Sequence, residues 1–269
     1  MEVDVIFTLD PPDAEAEQRR RAILELERAL ARQEFEVWLQ PQADSIGEVC
    51  GYEALLRWNH PERGLVSAAD CIPLAEACGL IAEIDAWMLR ACCREASRLQ
   101  GGVRIGVNVS AQRFAQADFL PGLREILNET GVSPRRLELE LAESVVEDPA
   151  FAGLAPRLRA LGVSLALDHF GAGASSLSNL QNLPFDRLKI DASLVAKLKR
   201  GGRTLTVVRA IVDFGRALGV TVLATGVDRR AQLAMLREIG CAQFQGRLIA
   251  APRPLAECLG PRAGVTPPG

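Results

Sequence analysis

The sequence lacks a strong charge of either sign, a long apolar run and a signal peptide. It has 31 Lys and Arg against 34 Asp and Glu, a net charge of −3, which argues against a basic surface for a nucleic-acid polymer. No apolar run reaches the ~18 residues of a membrane-spanning helix, and no basic segment followed by an apolar one opens the chain. These absences predict a cytoplasmic protein, or the cytoplasmic part of a membrane-anchored one.

Paired cysteines and histidines are also scarce. The seven cysteines include no Cys-x-x-Cys pair, which is typical of a reducing compartment where buried thiols act as small apolar residues. The two histidines are His60, which precedes a proline in a predicted loop, and His169, which follows Asp168. We expect His60 to be structural, whereas His169 adjoins a candidate functional carboxylate. With 48% hydrophobic residues over 269 positions, the chain can bury a core of ordinary size.

Patterns typical of strands and helices alternate along most of the chain. They give roughly eight strands over a length close to the ~250 residues of a (β/α)8 barrel. The first two strands, residues 34–40 and 48–58, are joined by a turn too short for a parallel crossover, so we expect them to be antiparallel. The alternative is a doubly wound open sheet, which expects a glycine-rich phosphate turn after the first strand, and none is there. We also predict that Pro41 ends the first strand and that residues 193–218 form a helix that Gly201 and Gly202 interrupt early.

Polar side chains cluster where the predicted strands end. Residues 163–167 form an apolar run that leads to Asp168 and His169, and the glycine-containing loop after them allows a ligand or metal to approach the backbone. An ordinary βα turn is the alternative explanation of this segment taken alone. Because the carboxyl ends of barrel strands meet at one mouth, we expect the following side chains to converge: Gln40, Glu53, Arg57, Asn108, Glu140, Asp168, His169, Lys189, Asp191, Thr225 and Gln245.

The converging set has the chemistry of a metal and phosphate site. Crowded carboxylates repel one another, and a divalent cation relieves that repulsion. Oxygen-only ligand sets suit Mg2+, Mn2+ or Ca2+ better than zinc, and Arg57 and Lys189 add donors suited to phosphate oxygens. The oxygen ligands of this set are Glu53, Asn108, Glu140 and Asp168.

Several segments follow one another in a characteristic order. They are Gln40-Pro41, Gly-Tyr-Glu-Ala-Leu-Leu-Arg-Trp at 51–58, Val-Asn-Val-Ser at 107–110, Leu-Glu-Leu-Glu-Leu-Ala-Glu-Ser at 137–144, Leu-Pro-Phe-Asp-Arg-Leu-Lys-Ile-Asp at 183–191 and Gln245-Gly246. This series resembles the EAL domain family, cyclic-di-GMP phosphodiesterases and their receptor relatives, from about Arg21 to Leu259. The resemblance implies a modified TIM (β/α)8 barrel with one antiparallel strand, and cyclic-di-GMP lying across its mouth.

The resemblance also implies a role for each matching residue. Lys189 matches the lysine that contacts the catalytic water, and Glu143 matches the glutamate that steadies the loop after a pair of aspartates. Asp85 resembles the acid that pairs with a guanine edge. The ligands of a first Mg2+ or Mn2+ ion are matched by Glu53, Asn108, Glu140 and Asp168. The nucleotide-contacting positions are Gln40, Leu55, Arg57, Asp85, Asn108, Asp191 and Gln245.

Two positions depart from the pattern of active members. His169 replaces the second aspartate of an Asp-Asp pair, and Thr225 replaces a glutamate assigned to metal binding and proton transfer. Two metal ions clamp the attacking and leaving oxygens in phosphodiester hydrolysis, and a lost general base costs ~10²–10⁴-fold in rate. We therefore expect the second metal site to be lost, and a receptor with little or no hydrolysis. The alternatives are a slow phosphodiesterase that produces pGpG and a non-binding structural or dimerisation domain.

The resemblance further implies a place in a larger protein. We expect residues 1–20 to be a linker or the end of an upstream GGDEF-type domain, residues 21–260 the EAL barrel, and residues 261–269 a disordered tail. The expected partners are the other domains of a longer signalling protein, or a protein partner. A homodimer through the helices near the Asp168 loop is also implied, although Ala172 and Ala174 replace the usual Thr and Tyr there.

Overall fold

The computed structural model describes residues 14–96, 98–99, 102–172 and 184–258. The strands are β1 (Phe35–Asp44), β2 (Val49–His60), β3 (Gly64–Ser67), β4 (Arg104–Val109), β5 (Leu137–Ala142), β6 (Ser164–Phe170), β7 (Arg187–Ile190), β8 (Thr221–Ala224), β9 (Gln243–Gln245) and β10 (Arg253–Pro254). The helices are α1 (Ala14–Ala31), α2 (Ala68–Cys78), α3 (Ile81–Ala96), α4 (Ala111–Phe114), α5 (Phe119–Thr130), α6 (Pro149–Leu161), α7 (Ala192–Ala196), α8 (Arg203–Leu218), α9 (Arg230–Glu238) and α10 (Leu255–Cys258).

Eight of these strands close into a barrel in the order β1-β9-β8-β7-β6-β5-β4-β2, and β1 completes the ring by pairing with β2. Strand β1 is antiparallel to both of its barrel neighbours, whereas the other neighbouring pairs of the ring are parallel. Strands β3 and β10 extend the sheet outside the ring. The prediction of a (β/α)8 barrel with one antiparallel strand is therefore confirmed.

Strand β1 runs past the proline that we expected to end it. Pro41 pairs with Tyr52 of β2, and the strand continues to Asp44. On its other side, β1 pairs with β10 at residues 38–39 and with β9 at residues 42–44. Pro41 lies in the gap between those two pairings, where the missing N–H removes no ladder hydrogen bond on that side. The predicted end of this strand was wrong for that reason.

The interruption predicted in the helix over residues 193–218 is present, and it is longer than Gly201 and Gly202 alone. The chain forms α7, which ends at Ala196, and then α8, and the connection between them contains Gly201 in the left-handed conformation at φ +70°. Helix α8 then packs on β8 at Gly215, where an added Cβ would lie 2.3 Å from Val222 Cγ2. The tail predicted at 261–269 lies outside the described residues.

Apolar side chains of the helices cover the outside of the barrel. In the second half of the chain, α8 contributes Val208, Ile211 and Val212 to a cluster that also buries Val222 and Phe244 of the strands. The lumen, by contrast, contains buried charged and amide side chains. None of the helices among the described residues has both the length and the apolar composition that crossing a bilayer would require.

Candidate functional site

Three carboxylates converge inside the barrel mouth around one ammonium group. Glu53 of β2, Glu140 of β5 and Asp168 of β6 place one oxygen each within 4.8 Å of one another. Lys189 Nζ on β7 lies 3.2 Å from Glu53 Oε2 and 3.0 Å from Asp168 Oδ2, and it donates a hydrogen bond to Glu140 Oε2. All four side chains are nearly or completely buried. The sequence led us to expect Lys189 to face a bound phosphate or water, whereas the structure places its ammonium among the acids.

The proton affinities of these groups reflect their burial and proximity. Burial alone would lower the pKa of Lys189, but the three carboxylates, Glu140 foremost, hold it well above its usual range. Complete burial raises the pKa of Glu140 although Lys189 opposes the shift. Burial would also raise the pKa of Asp168, yet the positive charges of Lys189 and His169 keep it below its usual value.

Glu140 reaches the centre of the group because its neighbour on β4 is glycine. A Cβ on Gly106 would lie 2.1 Å from Glu140 Oε1, so any other residue would displace this carboxylate. Within the described part of the chain, the same oxygen is buried without a hydrogen-bond partner. Three carboxylates and one ammonium leave a formal charge of −2. One hard divalent cation fits this group, because Glu140 Oε1 is free, the net charge is negative and all the ligands are oxygens.

Two amides donate hydrogen bonds to Glu53, and a third amide contacts one of them. Asn108 Nδ2 donates to Glu53 Oε1 at 3.2 Å, and Gln245 Nε2 donates to Glu53 Oε2 at 2.5 Å. Gln245 Nε2 also lies 3.0 Å from Gln40 Oε1. Because β1 runs in the opposite direction to its neighbours, Gln40 contributes to the mouth from the middle of its strand. The structure thus brings together Gln40, Asn108 and Gln245, as predicted.

A second polar layer, which the sequence did not suggest, lies below the acids. Arg187 Nη1 donates to Glu138 Oε1 and to Gln42 Oε1, both at 2.7 Å. Gln42 Nε2 donates in turn to Gln245 Oε1 at 3.0 Å, which links this layer to Glu53. The available signal was strand alternation, since Glu138 and Arg187 precede Glu140 and Lys189 by two residues and so share their faces.

The two departing residues lie at the rim of the same mouth. His169 adopts φ +57°, its Nδ1 lies 3.0 Å from Asp191 Oδ2, and its Nε2 lies 3.8 Å from Asp168 Oδ2. Burial alone would lower the pKa of His169, but Asp168 and the hydrogen bond with Asp191 raise it above its usual value. Thr225 Oγ1 donates to the Ile190 carbonyl at 2.7 Å. Neither residue supplies a carboxylate.

Asp191 is already engaged within the protein. It forms the N-cap of α7 by accepting a hydrogen bond from the Ser193 backbone N–H at 2.8 Å, besides its contact with His169. Burial would raise the pKa of Asp191, but these two hydrogen bonds hold it below its usual value. The open cleft beside it has a volume of about 240 Å³, and its lining includes Thr225 and the Asp228–Arg247 ion pair.

Two predicted nucleotide-contacting residues, Leu55 and Arg57, lie on β2 beyond Glu53. Leu55 and Arg57 follow Glu53 at intervals of two, so all three share one face. In the β1–β2 register, Leu55 lies opposite Trp38, and Arg57 lies opposite Glu36. The guanidinium carbon of Arg57 lies 5.5 Å from the centre of the Trp38 ring.

Asp85 and Glu143 have no hydrogen bond or ion pair with the three acids within the described ranges. Asp85 Oδ2, on α3, accepts hydrogen bonds from the Ser110 backbone N–H at 2.8 Å and from Ser110 Oγ at 2.6 Å. Burial raises the pKa of Asp85 to about 6. Glu143 is buried directly after β5, and its Oε2 has no partner in the described part of the protein. The loop that Glu143 was expected to steady lies mostly at residues 173–183, outside the described residues.

Comparisons with known proteins agree on one family. The family model of the EAL domain matches residues 23–252. An uncharacterized signaling protein of Caulobacter vibrioides is 42% identical over 241 residues, which are 88% of this chain and 30% of that protein. The bifunctional diguanylate cyclase/cyclic di-GMP phosphodiesterase MucR of Pseudomonas aeruginosa is 37% identical over 254 residues, which are 92% of this chain and 37% of MucR. This chain therefore spans about a third of the length of these relatives.

A solved structure gives the same result. The PaMucR phosphodiesterase in complex with c-di-GMP superimposes with a TM-score of 0.83 at 37% sequence identity, covering 88% of this chain and 99% of that one.

Proposed function

Because this chain belongs to the EAL domain family, we propose that it binds cyclic-di-GMP at the barrel mouth as a receptor, with little or no hydrolysis. One contrast carries the proposal. The group of Glu53, Glu140, Asp168 and Lys189 is complete and buried, while the rim that would hold a second cation has a histidine and a threonine.

The nucleotide contacts assigned by family resemblance have suitable chemistry here. Arg57 is a cation that suits phosphate or guanine oxygens, and the amides of Gln40, Asn108 and Gln245 can both donate and accept hydrogen bonds. Asp85, Leu55 and Asp191 complete the assigned contacts. Asp85 can accept hydrogen bonds from a guanine edge with both oxygens only as the carboxylate, so its raised pKa makes binding stronger above about pH 6.

One divalent ion, Mg2+ or Mn2+, would be held by Glu53, Glu140 and Asp168 with Asn108. Such an ion polarises a phosphoryl oxygen and neutralises charge when bound. The remaining chemistry of hydrolysis needs a group that takes a proton. Thr225 cannot do so, and its hydroxyl hydrogen is donated to the Ile190 carbonyl. His169 faces Asp168 and Asp191, and its imidazole is a poorer ligand for a hard cation than the aspartate it replaces.

A calorimetric titration tests the binding. We expect saturable heat with cyclic-di-GMP in the presence of Mg2+, and a weaker but measurable response with chelator. No heat at high micromolar nucleotide under either condition would remove the proposal, and it would favour the structural or dimerisation domain. Arg57→Ala distinguishes these alternatives, since a receptor loses affinity whereas a purely structural domain changes only in stability.

The second candidate function is slow hydrolysis of cyclic-di-GMP to pGpG. The retained acids favour it, because they fit one metal ion. Chromatography after long incubation with Mg2+ or Mn2+ tests it, with Glu140→Gln as the control variant. The absence of pGpG at enzyme concentrations close to those of the substrate would exclude this activity.

The proposed role also includes a place in a longer signalling protein. We assign residues 21–260 to the EAL barrel, and residues 1–20 and 261–269 to the flanking segments. The output would pass to attached domains, a protein partner or a second copy of the chain. The relatives, of which this chain covers about a third, support that assignment.

A further inference from the structure

Trp38 differs from the other two tryptophans of the chain in its surroundings. Trp58 is 2% exposed and belongs to the first apolar cluster, and Trp87 packs against that cluster. Trp38 is half-buried and belongs to neither apolar cluster of the described residues. It lies on the face of β1 that also carries Gln40, opposite Leu55 of β2. Core packing therefore does not account for an indole at this place.

The Trp38 ring is fixed by its edge and covered on its face. Its Nε1 donates to Glu36 Oε2 at 3.2 Å, and Asn59 Nδ2 donates to the same oxygen at 3.3 Å. Arg57 lies over the ring, with Cζ 5.5 Å from the centroid. Arg57 Nη1 also donates to the Leu56 carbonyl at 2.8 Å. Two contacts therefore hold the guanidinium, the Trp38 face and the Leu56 carbonyl, while the hydrogen bond to Glu36 holds the Trp38 ring.

A guanidinium held on an aromatic face keeps its in-plane N–H groups for other acceptors. A guanine base presents two neighbouring acceptors, O6 and N7, whereas adenine presents N7 beside an amino donor. A guanidinium can therefore donate two hydrogen bonds to guanine, but it meets a donor on adenine. Fixing the guanidinium sharpens this discrimination, since a freely rotating one can turn away from the adenine amino group and still donate one hydrogen bond to N7.

The geometry points to Trp38 as the residue that positions Arg57 for guanine, and so sets the preference for guanine over adenine dinucleotides. The inference rests on the proposed function, because it concerns the same mouth. A positioning role predicts a change in selectivity, whereas a merely structural role predicts equal weakening of every ligand.

Calorimetry with cyclic-di-GMP and cyclic-di-AMP tests the inference on the wild type, Trp38→Ala and Trp38→Phe. We expect Trp38→Ala to weaken cyclic-di-GMP binding about 3- to 30-fold, the range that a cation–π contact supplies. Binding of cyclic-di-AMP should change less than twofold, so the ratio of the two affinities falls. Trp38→Phe keeps an aromatic face and should recover most of the ratio. Trp87→Phe is the matched control and should leave both affinities unchanged.

Fluorescence supplies a measurement that does not need Trp38 to be removed. In the Trp58→Phe/Trp87→Phe protein, Trp38 is the remaining tryptophan, and saturating cyclic-di-GMP should change its emission on excitation at the red edge of the tryptophan band, where tyrosine does not absorb. This measurement decides the matter if Trp38→Ala does not fold. The inference would be overturned if Trp38→Ala weakened the binding of both nucleotides equally. It would also be overturned if the affinity for cyclic-di-GMP and the Trp38 emission were both unchanged. In either case, binding by the wild type would still uphold the proposed function. No wild-type binding would instead overturn the proposed function itself.

Discussion

Replacing Lys189 by methionine should make the stability of the barrel depend on a divalent cation. The lysine is 1% exposed, and its ammonium contacts the carboxylates of Glu53, Glu140 and Asp168. Methionine fills a similar volume without the charge, so three acids remain together with nothing positive among them. Removing one partner of a buried ion pair costs about 3–5 kcal/mol. For a domain of this size, this corresponds to a fall in Tm of roughly 6–20 °C.

Magnesium should reverse much of that loss, because the cation would take the place of the missing ammonium. A ligand at 100 times its Kd adds about 2.7 kcal/mol to the free energy of unfolding. Thermal unfolding in EDTA and in Mg2+ would measure both effects, with the exposed Lys197→Met as the matched control. If Lys189→Met is as stable as the wild type in EDTA, or if Mg2+ stabilises both proteins equally, the charge balance inferred for this site is wrong.

Three further changes probe the rest of the site. His169→Asp combined with Thr225→Glu should raise pGpG production by about 10²–10⁴-fold, measured by chromatography; unchanged turnover would refute the argument from the missing acids. Gly106→Ala should abolish Mn2+ binding in EPR titrations and cost about 1–3 kcal/mol, because the new Cβ overlaps Glu140 Oε1; Mn2+ binding of wild-type strength would contradict this. Burial raises the pKa of Asp85 from 3.8 to about 6, so its contribution to the free energy of unfolding is complete below about pH 4 and lost as the pH rises through 6. Urea unfolding should show this loss, at most about 3 kcal/mol, and Asp85→Asn should not.

Sequence reasoning located the acids because their positions follow from local pattern. Glu53, Glu140 and Asp168 occupy corresponding places on parallel strands, and a barrel requires such places to meet. The long side chain of Lys189 was harder to place, since an ammonium at the end of four methylenes can face a ligand or its own strand neighbours. Only the packed lumen shows that it lies among the acids.

The polar layer below the acids, which consists of Gln42, Glu138 and Arg187, could not be predicted for a different reason. Gln42 and Arg187 are 145 residues apart, and their contact depends on the register of the reversed strand β1, which no local pattern determines. The same register decides that Trp38 faces Leu55 and lies beside Arg57. The extension of β1 beyond Pro41 could not be predicted either, because it depends on a gap between β9 and β10.

The proposed separation of binding from hydrolysis at this mouth follows from the different groups that the two need. Holding a dianion in its ground state needs hydrogen-bond donors and a reduced negative potential. Replacing one acid by His169 and another by Thr225 lowers that negative potential. Burial would lower the pKa of His169, but Asp168 raises it. Catalysis needs interactions that strengthen only in the transition state, and a second cation and a base would supply those. Under the proposed function, the two substitutions would favour the bound nucleotide and withdraw the groups that would cleave it, which is the charge distribution expected of a receptor.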